Sequence, residues 1–290
     1  MFNQISIIGD LWITEECKKK LIEFSIKKII IYKDDLKYEK LIINNSDCIL
    51  INIKAKITKE ILENYPKLKF ICVCGTNLNN IDLEETNKRN INVLNVTDYC
   101  NESTSEYIFS QILYLAKGFG LYKWKSEPIE LKDKTIGIIG LGSVGKSLAK
   151  IALGFSMKII YYSKSRNYDF EELGLKFTDL NFLLSNSDII SINVPENSLT
   201  LSNKELNIIK EKTILINTCL GKVFDESIID FTKKGQNFLI FDSIYYELYK
   251  ELKNFKNFIC FDKIAALTKE SREKLSAKVI ENLVIFKNQI

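Results

Sequence analysis

Short apolar runs alternate with amphipathic stretches along almost the whole chain. In the first hundred residues, runs without helical period fall at 5–8, 28–32, 48–53, 70–74 and 91–96, each the length of a strand. Between them, 14–26, 59–64 and 83–89 carry apolar residues at helical spacing, and Thr14 followed by Glu15 and Glu16 marks a helix start. Strands apolar throughout and separated by helices predict a parallel sheet covered on both faces. A long amphipathic helix over 101–117 follows, with Ser103 or Thr104 as its cap and Ile108, Ile112 and Leu115 along its apolar side. A linker at 124–131 leads into a second alternating region. Its strands are predicted at 136–139, 157–162, 188–194, 213–217, 238–241 and 258–261. Its helices are predicted at 146–155, 170–173, 179–184 and 203–209 and from 226 onward. A closing helix over 269–286 is expected to pack back on the first region.

One turn in this pattern carries chemistry. Gly140-Leu141-Gly142-Ser143-Val144-Gly145 follows a strand at once and opens a helix that leads into another strand. This is the context in which G-x-G-x-x-G denotes a dinucleotide site. The first glycine permits the tight turn, the second lets backbone approach a diphosphate, and the third lets helix and strand pack closely. The diphosphate then meets the free N–H groups and positive end of the helix. In the first region, the turn Gly75-Thr76-Asn77-Leu78-Asn79-Asn80 ends a strand, where ligands of such sheets bind.

The end of the strand after the glycines decides between dinucleotides. An NAD site carries Asp or Glu there to accept the ribose hydroxyls. This chain has Ser163, Lys164, Ser165 and Arg166: two hydroxyls and two cations, with no carboxylate to repel a 2′-phosphate. NADP(H) is the preferred cofactor on this reading, with NAD(H) left open.

Composition narrows the class. The chain has 290 residues, enough for two cores, and its 46% apolar and 27% charged content is that of a globular protein. The net charge of +4 is scattered and forms no basic stripe, so nucleic acid is not an expected partner. No apolar stretch approaches the roughly 20 residues that span a membrane, and MFNQISIIGD lacks the basic residues of a signal peptide's start, so none is expected. Seven cysteines, an odd number mostly in apolar runs (Cys48, Cys72, Cys74, Cys260), read as reduced core residues of a cytoplasmic protein. Cys72 and Cys74 share a strand face, but nothing completes a metal site. The chain contains no histidine, which removes the commonest acid–base group and the commonest metal ligand together.

With these landmarks, the chain resembles the D-isomer-specific 2-hydroxyacid dehydrogenase family along nearly its whole length. The residues that carry the resemblance are 70–96, 101–117, 135–162 and 187–195, together with 214–227, 241–248 and 257–268. It implies an α/β fold of two doubly wound parallel-sheet domains with the cofactor in the cleft between them. One is a flavodoxin-like substrate domain over 1–99, completed by a C-terminal helix at 267–290. The other is a Rossmann dinucleotide-binding domain over 100–266, through which a homodimer is expected. The resemblance also places Asp242, Thr218 and Cys219 near the nicotinamide and Pro195 near the adenosine. The family's glutamate falls on Glu247. Its arginine, which grips the substrate carboxylate, falls on Leu220 in Asn217-Thr218-Cys219-Leu220-Gly221. Its histidine falls on Lys263 in Asp262-Lys263-Ile264-Ala265.

The altered set still permits chemistry. A lysine can protonate the alkoxide formed on reduction, because that oxygen is far more basic than an ammonium of pKa ~10.4. Lys263 is therefore the expected general acid and Glu247 its orienting partner. Leu220 offers no guanidinium, which points to a small substrate with a less polar group there, such as a ketone, an aldehyde or an imine. A plain 2-oxo acid would need Lys263, Lys222 or the backbone N–H groups of Thr76 and Asn77 instead. The family usually has glycine where Asn77 stands, and asparagine tolerates the left-handed backbone such a turn asks for. Three readings follow: an NADP-dependent oxidoreductase of altered substrate choice, a cofactor-binding pseudoenzyme acting as sensor or partner-binding protein, and an ordinary 2-hydroxyacid dehydrogenase with repositioned residues. Keeping Glu247 beside a cation favours the first.

Overall fold

The computed structural model describes residues 1–32, 45–119, 123–242, 247–261 and 265–288. The chain divides into two compact units, Met1–Tyr99 with Lys269–Ile290, and Cys100–Thr268.

The first unit is built on β1 (Ile5–Ile8), α1 (Glu15–Glu23), β2 (Ile30–Tyr32), β3 (Cys48–Ile51), α2 (Lys59–Glu63), β4 (Phe70–Val73), α3 (Leu83–Lys88) and β5 (Asn92–Asn95). The five strands form one parallel sheet in the order β2-β1-β3-β4-β5. Every residue of β1, β3 and β4 is buried, which explains why these strands read as apolar runs broken only by Ser6. The Thr14 hydroxyl accepts from the Cys17 N–H and caps α1. Several elements stop earlier than their apolar runs suggest. β3 ends at Ile51 because the Asn52 side chain turns back to accept from the N–H groups of Lys54 and Ala55.

The second unit begins with α4 (Asn101–Lys117), β6 (Thr135–Ile139), α5 (Ser143–Gly154), β7 (Lys158–Tyr162), α6 (Tyr168–Glu172) and β8 (Lys176–Phe177). It continues with α7 (Leu180–Asn186), β9 (Ile189–Ile192), α8 (Asn203–Leu206), β10 (Ile214–Asn217), α9 (Ser227–Lys233), β11 (Phe238–Phe241), α10 (Glu247–Lys250) and β12 (Phe258–Cys260). Its seven-stranded parallel sheet has the order β12-β11-β10-β9-β6-β7-β8. The order reverses direction between β6 and β9, and that is where sheets of this kind bind ligands, beyond the carboxyl ends of their strands. The chain then closes on the first unit with α11 (Lys269–Asn288), whose Phe286 ring stacks 4.4 Å from that of Phe70.

Two expectations are corrected here, and two features lie beyond what the sequence showed. Residues 124–131 link α4 to β6 without regular structure, as expected, and the link is packed down: Trp124 and Leu131 are buried in the second unit's core, and the Trp124 indole donates to the Lys212 carbonyl. Helix α4 starts at Asn101 without a side-chain cap, so Ser103 and Thr104 lie inside its first turn, and Ser103 donates to the Ala265 carbonyl instead. Helix α5 begins at Ser143, three residues before the predicted start, so the glycine motif forms its first turn. The two-residue strand β8 is too short to show any periodicity and escapes sequence reading.

Candidate functional site

Two of the three motif glycines after β6 have a geometric reason to be glycine. Gly140 has φ of +92°, and a Cβ there would lie 2.4 Å from the Asn193 carbonyl oxygen beyond β9. Gly145 faces the Gly140 carbonyl oxygen, which a Cβ would meet at 2.2 Å. Gly142 is different. Its φ of −79° suits any residue, and nothing lies within 4 Å of where its Cβ would be. It is the N-cap of α5 yet brings no capping side chain to the N–H groups of Ser143, Val144 and Gly145. Open space over an uncapped helix start suits an anionic group, so these residues fit the diphosphate of a dinucleotide.

The strand end beyond β7 holds a correction. The sequence offers no carboxylate among Ser163, Lys164, Ser165 and Arg166, but the fold brings Glu171 of α6 to this point. The Arg166 guanidinium forks onto Glu171, with Nε donating to Oε1 at 3.1 Å and Nη2 pairing with Oε2. The buried Tyr161 hydroxyl donates to the same Oε1 at 2.6 Å and accepts from the Asn167 N–H. The guanidinium beside Glu171 holds its carboxyl below the usual carboxylate range. Lys164, Ser165 and Arg166 are exposed and Ser163 is half-buried.

At the neighbouring strand ends, the Cys219 thiol joins β9 to β10. Its Sγ donates to the Ile192 carbonyl at 3.2 Å and accepts from the Val194 N–H at 3.3 Å. Burial pushes this thiol up to about 12, so it is protonated at neutral pH and serves as a hydrogen-bonding bridge, not a nucleophile. The Asn217 Oδ1 accepts from the Cys219 N–H, while its buried Nδ2 has no hydrogen-bond partner among the described residues. Thr218 is half-buried and Pro195 is exposed, with the Pro195 carbonyl accepting from Ser198. Asp242, after β11, is buried and accepts from the Ala265 N–H at 2.9 Å. Leu220 is 38% exposed, and the loop that carries it is held from behind by the Tyr249 hydroxyl, which accepts from the N–H groups of Val223 and Phe224. Sequence reasoning missed Tyr249 and Glu171, since each acts through a contact made only by folding.

Glu247 opens α10 with an exposed carboxylate paired to Lys250. Lys263 lies outside the described residues. In the first unit, Thr76 donates through Oγ1 to the Val96 carbonyl, and its own carbonyl accepts from the Asn95 amide. Asn77 is not left-handed, contrary to expectation; its Oδ1 accepts from the Asn79 N–H, so a side-chain turn replaces the backbone freedom of glycine. Among the described residues, no cluster of His, Cys, Asp or Glu could hold a metal ion, and no helix is long and apolar enough to cross a membrane.

Comparison with known proteins adds the chemistry of relatives. Residues 115–261 match the model of the NAD binding domain of D-isomer specific 2-hydroxyacid dehydrogenases. The glyoxylate reductase of Thermococcus litoralis is 36% identical over 267 residues, covering 83% of this chain and 80% of that protein. The glyoxylate reductase of Pyrococcus horikoshii is 32% identical over 268 residues, again 83% and 80% of the two chains. Among solved structures, an acyclic imino acid reductase in complex with NADPH and D-Arg superposes with a TM-score of 0.86 at 26% identity, covering 99% of this chain and 97% of that one. The D-lactate dehydrogenase of Aquifex aeolicus, complexed with NAD and lactic acid, gives 0.83 at 25% identity over 98% and 96%.

Proposed function

Because the chain belongs to the D-isomer specific 2-hydroxyacid dehydrogenase family, we propose that this NAD(P)-dependent oxidoreductase uses NADPH to reduce a small 2-oxo acid or the imine of one, with Lys263 as proton donor. The observation that carries the cofactor half is the glycine turn, with open space at Gly142 over the uncapped start of α5. Gly140, Gly142, Ser143, Val144 and Gly145 are the proposed diphosphate cradle. Ser163, Lys164, Ser165 and Arg166 are the proposed 2′-phosphate site, Pro195 lies along the adenosine, and Thr218, Cys219 and Asp242 serve the nicotinamide end. When bound, the reduced nicotinamide supplies the hydride.

The chain's own residues bind the carbonyl compound and deliver the proton. Lys263, as a cation, draws the carbonyl oxygen and then protonates the far more basic alkoxide. Glu247, which accepts an ammonium in its pair with Lys250, is the proposed orienting partner of Lys263. The substrate half rests on relatives: proteins named glyoxylate reductase cover most of this chain, and an imino acid reductase shares its fold. Leu220 stands where the family has arginine, so the backbone N–H groups of Thr76 and Asn77 are the proposed carboxylate donors.

Oxidation of NADPH and NADH against glyoxylate, longer 2-oxo acids, ketones, aldehydes and 2-oxo acids with ammonium tests this. We expect turnover with a 2-oxo acid or its imine, and a loss of about 10²-fold or more in Lys263→Ala. An ammonium stays protonated until pH ~10.4, whereas an imidazole is lost above ~6.5, so the reductive rate should stay flat through pH 8–9. Undiminished turnover in Lys263→Ala removes the lysine from the mechanism. No turnover with any substrate, alongside tight dinucleotide binding, leaves a cofactor-binding protein without chemistry.

A further inference from the structure

The Arg166–Glu171 pair is built more elaborately than a surface ion pair needs. Glu171 comes from α6, its side chain only 16% exposed against 50% for Arg166, so the carboxylate lies behind the guanidinium. Both carboxylate oxygens are used, and Oε1 is also tethered by the Tyr161 hydroxyl, which is itself fixed by the Asn167 N–H. The guanidinium carbon sits 5.2 Å from the Tyr168 ring centre and 5.4 Å from that of Phe177. Of the guanidinium's N–H groups, only Nε and one of Nη2 are engaged; both on Nη1 and the second on Nη2 have no partner among the described residues. The side chains of Ser163, Lys164 and Ser165 likewise have no hydrogen-bond or ion-pair partner among the described residues.

We propose that Glu171 is a positioning residue for cofactor choice, holding Arg166 by one edge so that its open edge, with Lys164, receives the 2′-phosphate of NADPH. The inference rests on the NADPH reading above and names the residue that makes it work. An arginine is a flexible side chain, and ordering it on ligand binding costs affinity; here the fork onto Glu171 and the rings of Tyr168 and Phe177 supply part of that ordering in advance. The carboxylate does carry repelling charge. Coulomb energy falls with distance, however, and a phosphate on the open edge lies nearer the guanidinium than the carboxylate behind it. Attraction wins. An acid placed at the strand end to accept ribose hydroxyls would instead face the phosphate directly.

Titrations of the full-length chain with NADPH and NADH, for wild type, Arg166→Ala, Glu171→Ala and Glu171→Gln, test this. Wild type is expected to bind NADPH more tightly, and Arg166→Ala to abolish the difference. Glu171→Ala should raise the Kd for NADPH about tenfold, the size of one charge-assisted hydrogen bond, and shift that for NADH by less than about twofold. Glu171→Gln preserves the shape and one acceptor, so it should fall between; it also decides the matter should Glu171→Ala fail to fold. Tighter NADPH binding in the Glu171 variants, or an equal change for both cofactors, overturns the proposal. If wild type prefers NADH, or Arg166→Ala leaves the preference unmoved, the NADPH reading itself fails. If those two behave as expected and only the Glu171 variants leave the preference unmoved, the NADPH reading stands and the role of Glu171 falls.

Discussion

The three glycines of the turn after β6 look alike in the sequence and differ in what a methyl group would do to each. At Gly140 an alanine meets both a positive φ and a backbone oxygen at 2.4 Å, neither of which can yield cheaply. At Gly145 it meets the Gly140 carbonyl oxygen at 2.2 Å, again backbone. Each substitution should cost about 1–3 kcal/mol or more, seen as a lower denaturation midpoint. Gly142→Ala meets nothing and keeps an allowed φ, so the protein should melt as wild type does. Its methyl group projects into the open space a diphosphate would need, so dinucleotide affinity should drop about tenfold or more, at the scale of a lost charge-assisted contact. A Gly142→Ala variant with wild-type melting and wild-type affinity would mean that the dinucleotide does not lie over this turn.

At the scale of elements, every strand but the two-residue β8 was legible, and the strand ends were not. Continuous apolar runs such as those of β3 and β4 reflect burial on both faces, a property of the strand's own residues, so sequence alone locates them. Ends depend on partners. The Asn52 side chain stops β3, and the backbone geometry at Gly142 lets α5 begin three residues before its apolar pattern does. The same division runs through the candidate site. The glycines and the Ser163–Arg166 donors were visible as spacing, whereas Glu171 reaches Arg166 only because α6 folds back beside β7. Tyr249 belongs with Glu171. It sits among charged residues in the sequence, yet it is buried, edge-on to Phe241, with its hydroxyl accepting from the N–H groups of Val223 and Phe224. Tyr249→Phe keeps the ring packing and leaves two buried donors without an acceptor, at about 1–3 kcal/mol. Hydrogen exchange should report it locally, as lost protection of the Val223 and Phe224 amides; unchanged protection there would show that the hydroxyl does not hold the loop.

On the scale of the whole molecule, the first unit is discontinuous in sequence, and its last helix comes from the far end of the chain. Leu275, Val279, Leu283 and Phe286 of α11 are buried in the same core as Phe2, Leu21 and Phe70. Polar contacts run alongside. Arg272 donates to the Ile13 carbonyl, Ser276 accepts from the Thr14 N–H, and the Asn282 amide donates to the Asn95 carbonyl. Burying four such apolar side chains contributes about 6–12 kcal/mol, at 1.5–3 each. That is comparable to the entire stability of a domain, about 5–15 kcal/mol. Residues 1–99 alone should therefore not hold their fold. The second unit keeps both of its own cores when α11 is removed, because none of their buried residues comes from it. A chain ending at Thr268 should lose helix and strand signal in proportion to the first unit. Limited proteolysis should digest residues 1–99 quickly and leave a resistant fragment spanning 100–268. If residues 1–99 of the shortened chain resist protease as they do in the full one, the core around Phe70 and Phe286 is not what stabilises that unit.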